Sequence, residues 1–84
     1  MKKNVRILLA GNLEARPVAM LVQTASRFDS SVYLSIGGKR VNAKSIMGMM
    51  SLTLKTDDEV EVEAEGPDEE EAVKAIEAYL SGEQ

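Results

Sequence analysis

The chain has 84 residues, 44% of them hydrophobic and 29% charged, the balance of a globular domain with room for one small core. It carries 14 Asp and Glu against 10 Lys and Arg, a net charge of −4. Direct binding to nucleic acid, which needs a basic face to neutralise phosphates, is therefore not expected, and proteins are the expected partners. Cysteine and histidine are both absent. Disulfides, thiol chemistry, the usual zinc sites and His-based triads are excluded, and no metal or cofactor is expected.

No apolar run approaches the roughly 20 residues needed to span a membrane. The start, Met1 to Arg6, is basic, but the apolar stretch after it is too short for a signal-peptide core, so a cytoplasmic protein is expected. One domain covers residues 1–84.

Val5, Ile7 and Leu9 alternate with Arg6 and Leu8, which predicts a first strand. Ala10 to Leu13 is a loop. From Pro17 to Phe28 the pattern is helical: at about 100° per residue Val18, Leu21, Val22, Ala25 and Phe28 share one arc. Pro17 suits the first turn, where its missing N–H costs nothing. Val32, Leu34 and Ile36 alternate with Tyr33 and Ser35 as a second strand, Gly37-Gly38 signals a hairpin turn, and Lys39 to Asn42 is a short third strand. Ser45 opens a short helix reaching about Leu52. Thr56 to Asp58 is a polar loop. Glu59, Glu61, Glu63 and Glu65 then alternate with Val60, Val62 and Ala64, a strand with one dry face and one acidic face. Gly66-Pro67 breaks it. Asp68 is placed to cap the last helix, with Glu71 in the capping-box position and Glu69 and Glu70 favouring the positive end. Ala72, Val73, Ile76, Tyr79 and Leu80 form its buried stripe, and the tail after Leu80 is expected to fray. The order βαββαβα predicts an antiparallel sheet with helices packed on one face, an open-faced α+β sandwich.

Two segments carry more than structure. Glu14-Ala15-Arg16-Pro17 starts the first helix, where free backbone N–H groups and the helix dipole attract anions, and Arg16 adds a bidentate donor. The plainer reading is that Glu14 favours the helix start and Arg16 is solvated. In the second segment, Lys44 to Leu52, helical phase puts Ile46, Met47 and Met50 on one arc and Met49 and Leu52 on another, together roughly 220°. A two-turn helix in a small domain cannot bury all of that. One set packs on the sheet and the other stays exposed, and exposed methionine is typical of an adaptable binding surface. The alternative is a deep core helix. Ser45 falls at the N-cap, where its hydroxyl accepts a backbone N–H, and Gly48 occupies the position where a capping-box partner would stand.

At these segments the chain resembles the HPr family of the bacterial phosphotransferase system. The family motif G-[LI]-H-A-R-P reads Asn12-Leu13-Glu14-Ala15-Arg16-Pro17, and the motif around the regulatory serine reads Asn42-Ala43-Lys44-Ser45-Ile46-Met47-Gly48-Met49-Met50-Ser51-Leu52. Val22-Gln23-Thr24-Ala25-Ser26 also matches, and the resemblance covers essentially the whole chain. It implies an HPr-like open-faced β-sandwich, a four-stranded antiparallel sheet of order 1-4-2-3 with three helices on one face.

Two positions depart from the family pattern. Asn12 replaces a loop glycine, a mild change because Asn tolerates a left-handed backbone. Glu14 stands where the phosphorylated histidine is expected. Transfer from phosphoenolpyruvate in this family uses an imidazole nitrogen, so no histidine phosphotransfer, no catalytic residue and no enzymic role are expected. The chain is more similar to the histidine-less, catabolite-repression branch of the family, which keeps the regulatory serine and usually has glutamine at the histidine position. That resemblance implies phosphorylation of Ser45 by an HPr kinase/phosphorylase, after which the phosphoserine form acts as corepressor of the LacI-type repressor CcpA. Arg16 (also the anion-binding residue), Ala19, Gln23, Lys44, Ser45, Ile46, Met47 and Met50 match positions of the family's partner face. Helical phase agrees, since Ala19 and Gln23 lie about 100° to 140° from Val18, off the buried arc. A phosphate on Ser45 would meet free N–H groups of its own helix. Two other functions fit the residues: a carrier in which Glu14 takes phosphate as an acyl phosphate clamped by Arg16, and a constitutive interaction module in which Glu14 partly mimics a phosphate and regulates a sugar-metabolism protein.

Overall fold

The strand with the clearest alternation organises the sheet. In a computed structural model, which describes residues 1–8, 15–52 and 57–82 and the backbone alone at 15–17, the elements are β1 (Lys2–Arg6), α1 (Ala15–Ser26), β2 (Ser31–Ile36), β3 (Lys39–Asn42), α2 (Ile46–Met50), β4 (Glu59–Glu65) and α3 (Glu69–Leu80). The strands form one four-stranded sheet in the order β1-β4-β2-β3, with every neighbouring pair antiparallel. Val60, Val62 and Ala64 of β4 are fully buried. The register sets Val5 opposite Val60, Leu34 opposite Val62 and Val41, and Val32 opposite Ala64, so the inner-face side chains line up across all four strands. Onto that face α1 brings Val18, Leu21 and Ala25, α2 brings Met49, and α3 brings Ala72, Val73, Ile76 and Leu80, all in one core cluster. Each fully buried Val, Leu or Ile contributes roughly 1.5–3 kcal/mol. Gly37 and Gly38 both have positive φ, 56° and 81°, as a type I′ hairpin turn requires.

On the open face Arg40 of β3 lies 3.9 Å over the Tyr33 ring and reaches Glu63 of β4 at 3.4 Å, bridging three strands. Among the described residues no helix is long and apolar enough to cross a membrane.

Several local expectations shift. β1 begins at Lys2 rather than Val5, with Asn4 opposite Glu61 and with Lys2 and Arg6 opposite Glu63 and Glu59 on β4, where opposite charge favours the ladder. Ile7 remains buried and continues the pairing through its N–H to the Asp58 carbonyl and its carbonyl to the Asp57 N–H. Leu8, by contrast, is exposed. Leu9, the 10–13 loop and Thr56 lie outside the described residues. α1 runs from Ala15 to Ser26, and Phe28 packs on the core from beyond its end. α2 stops at Met50, closed by the Ser51 N–H and hydroxyl, both donating to the Gly48 carbonyl. Leu52 is buried all the same.

The predicted capping box at α3 does not form. Asp68 is the N-cap but makes no side-chain cap hydrogen bond. Its carboxylate accepts instead from the N–H groups of Asp29 and Ser30, each at 2.9 Å, and from the Ser30 hydroxyl at 2.5 Å. The Ser30 hydroxyl bond, with the Asp29 N–H next, holds the Asp68 carboxyl below its ordinary pKa. It is Glu69, not Glu71, that reaches back, accepting from the Gly66 N–H at 3.4 Å. The Met1 ammonium lies 3.1 Å from Glu69 and is the main reason its carboxyl is also lowered. At the other end α3 is closed through Gly82, and Glu83 and Gln84, the rest of the tail expected to fray, lie outside the described residues. Ser81 is its C-cap, with its N–H on the Glu77 carbonyl at 2.9 Å, and the Gly82 N–H reaches the Tyr79 carbonyl at 3.2 Å.

Candidate functional site

The chain leaves β3 through a tight turn built by Asn42. Its side-chain oxygen accepts the Lys44 N–H at 2.8 Å, and its carbonyl accepts the Ser45 N–H at 3.0 Å. That turn delivers Ser45 in an extended conformation at the N-cap of α2, where its Oγ accepts the Gly48 N–H at 3.2 Å. A Cβ at Gly48 would lie 3.4 Å from the Ser45 Oγ and 3.5 Å from its Cβ, in ordinary van der Waals contact, so any side chain there would stand directly beside the hydroxyl. Ser45 itself is half-buried.

Helical phase then divides the two arcs of α2. Met49 is fully buried and Leu52 is 7% exposed, whereas Ile46, Met47 and Met50 are 43%, 83% and 51% exposed. α1 packs beside α2 and contributes Gln23, exposed, and Ala19, half-buried. Ser45, the three exposed α2 residues and the outer side of α1 thus belong to adjoining elements. Lys44 sits differently from its expected neighbours. It is half-buried, and its ammonium donates to the Phe28 carbonyl at 2.6 Å, tying the turn before α2 to the chain beyond α1. Glu14 lies outside the described residues, as does the side chain of Arg16, so the degenerate histidine position and the anion clamp are not placed.

Sequence reasoning passed over Met20. It is 49% exposed on α1, and the signal was available: Met20 lies about 200° from Val18 around the helix, opposite the buried arc. It also passed over Asn42, whose role depends on two backbone groups that follow it. Among the described residues no group of carboxylates could hold a metal ion. What the site offers is an esterifiable hydroxyl beside an exposed apolar strip, which is equipment for recognition.

Residues 1–82 match the family of the PTS HPr component phosphorylation site. The chain belongs to the HPr family. It is 49% identical over 82 residues to the HPr-like protein Crh of Bacillus subtilis (strain 168), covering 98% of this chain and 96% of that protein. It is 44% identical over 82 residues to the HPr-like protein Crh of Halalkalibacterium halodurans, covering 98% of each. The crystal structure of a phosphocarrier protein HPr from Bacillus anthracis str. Ames superposes with a TM-score of 0.91 at 45% identity over 95% of each chain. The βαββαβα order, the sheet order and the three helices are thus those of the HPr fold, and this HPr-family chain is a regulatory or phosphocarrier protein rather than a catalytic enzyme.

Proposed function

We propose that this HPr-family chain is a phosphoserine-regulated protein of carbon catabolite repression. Ser45 is phosphorylated by an HPr kinase/phosphorylase, and the phosphorylated form binds CcpA as corepressor in the cytoplasm. The observation that carries this is the placement of Ser45 at the start of a helix whose outward side is the apolar strip Ile46, Met47 and Met50. Similarity to Crh over nearly the full length supports the partner assignment.

The chemistry is consistent. With no imidazole in the chain, the phosphohistidine step of a carrier has no nucleophile. A phosphoserine brings about −1.5 to −2 charge and three strong acceptor oxygens. Set beside exposed thioethers and an isoleucine, it makes a mixed surface that a partner with an arginine and an apolar pocket can read. Charge-assisted hydrogen bonds contribute about 1.5–3 kcal/mol each, so one or two separate negligible from useful binding. Gln23 and Ala19 on α1 and Arg16 at its start complete the proposed face, while Lys44 supports it from behind through the Phe28 carbonyl.

The test is phosphate mapping by mass spectrometry after incubation with the kinase and ATP. Wild type should take one phosphate, on Ser45, and Ser45→Ala should take none. Equal uptake by both would remove the assignment. Phosphoenolpyruvate and the first enzyme of the phosphotransferase system should leave the chain unlabelled.

A further inference from the structure

The chain has five methionines and neither cysteine nor histidine, so thioethers are its soft, oxidisable side chains. The fold sorts them. Met49 is fully buried, while Met1, Met20 and Met50 are about half exposed and Met47 is 83% exposed. Met47 and Met50 are three residues apart, hence neighbours on one side of α2. Met20 is on the outward side of α1, which packs against α2. Met1 is anchored elsewhere, on β4 and α3, through the Ala64 carbonyl and Glu69. Three of the four exposed thioethers therefore sit on the two helices of the proposed partner face, and the one thioether whose loss would damage the core is out of reach of solvent.

We propose that Met47, with Met50, is a reversible oxidation site at which hydrogen peroxide switches off partner binding without unfolding the domain. The proposal rests on the reading of this face given above. In the reaction a lone pair on the Met47 sulfur attacks one peroxide oxygen. The O–O bond breaks, the S–O bond of the sulfoxide forms, and the second oxygen leaves as water after taking up the proton of the first. The sulfur is oxidised by two electrons and the peroxide is reduced by two. Susceptibility follows solvent access, which puts Met47 first and Met49 last. The product replaces a flexible apolar side chain by a polar one with a strong acceptor oxygen. Seated against an apolar surface, that oxygen has no donor, and an unpaired buried polar group opposes association. The phosphate on Ser45 is untouched, so oxidation overrides the phosphorylation signal rather than erasing it.

The experiment treats the full chain, phosphorylated on Ser45, with hydrogen peroxide. Samples are quenched at intervals, the sulfoxides are mapped by peptide mass spectrometry, and each sample is titrated against CcpA. Met47 should oxidise first, Met1, Met20 and Met50 next and Met49 last. Affinity should fall about tenfold, equivalent to about 1.4 kcal/mol, with an unchanged thermal melt, and methionine sulfoxide reductases should restore it. In a Met47→Leu, Met50→Leu double variant the ratio of oxidised to unoxidised affinity should stay near one, whatever its starting affinity. Oxidation of Met49 as fast as Met47, or an equal loss of affinity in the double variant, overturns the proposal. Intact binding that oxidation leaves unchanged overturns it alone. Failure of the phosphorylated, unoxidised chain to bind overturns the reading of function and the regulatory part of this inference together.

Discussion

Met49 and Met47 are the same residue type on the same short helix, and replacing each by alanine separates core from surface with composition held constant. Met49 is fully buried. Its truncation removes three heavy atoms from a close-packed core and leaves a cavity, which costs roughly 2–5 kcal/mol. A domain of this length has a total stability of about 4–13 kcal/mol, so the variant loses a large fraction of it. At about 4–8 °C per kcal/mol for a domain of this size, the melting temperature should fall by at least about 8 °C. Met47 is 83% exposed, and alanine is at least as good a helix former, so its truncation should stay within about 0.5 kcal/mol. Urea unfolding of both variants beside wild type measures the difference, with unchanged slopes confirming that the unfolded states are comparable. Phosphorylated Met47→Ala should at the same time bind the repressor more weakly. Equal destabilisation by the two truncations would mean that α2 is buried on all sides, and the apolar docking strip would not exist.

The junction between the α1–β2 connection and α3 yields further expectations. Gly66 has φ of +149° and a Cβ there would lie 2.6 Å from the Ser30 Oγ and 2.7 Å from its Cα. Gly66→Ala should therefore cost more than the roughly 1–3 kcal/mol of backbone strain alone, read by urea unfolding. The Asp68 carboxyl is held below its ordinary value of 3.8. On acidification the unfolded chain takes up that proton first, so the contribution is complete above the ordinary value and is lost as pH falls through the lower folded one. Asp68→Asn should flatten that part of the acid limb in melts run from pH 6 to 2, and an unchanged acid limb would count against the clasp. Lys44→Met should cost about 1–3 kcal/mol by leaving the Phe28 carbonyl without its donor, while kinase-dependent labelling of Ser45 persists.

Much of the fold is legible because local pattern and tertiary environment agree. β4 is the clearest case: period-two alternation of Glu with Val and Ala predicts a dry face, and Val60, Val62 and Ala64 are buried. The two arcs of α2 are legible for the same reason, since a short helix over a small core has one side to bury. Expectations fail where a distant partner decides. Asp68 reads as a local cap, but Ser30, 38 residues away, takes its carboxylate, and nothing in the sequence around Asp68 reveals that. Lys2, Lys3 and Asn4 look too polar for a strand until β4 sets Glu63 and Glu61 across from Lys2 and Asn4 and α3 offers Glu77 to the Lys3 ammonium. Lys44 reads as a surface charge, yet its stem folds back to a carbonyl 16 residues earlier. Of the site, the Ser45 N-cap and the division of α2 into two arcs follow from cap chemistry and phase, while the exposed arc is picked out by the family resemblance, and the turn that presents Ser45 depends on Asn42 bonding two backbone groups at once.

The regulatory role is tested most directly by titrating CcpA with three preparations of the chain: unmodified, kinase-phosphorylated, and Ser45→Ala carried through the same phosphorylation reaction. The phosphorylated wild type should bind at least about tenfold more tightly than the unmodified chain, as one charge-assisted contact of roughly 1.5–3 kcal/mol requires, and Ser45→Ala should remain at the unmodified level. Equal affinity of all three, or binding by Ser45→Ala that rises after the reaction as it does for wild type, would contradict phosphoserine control at Ser45.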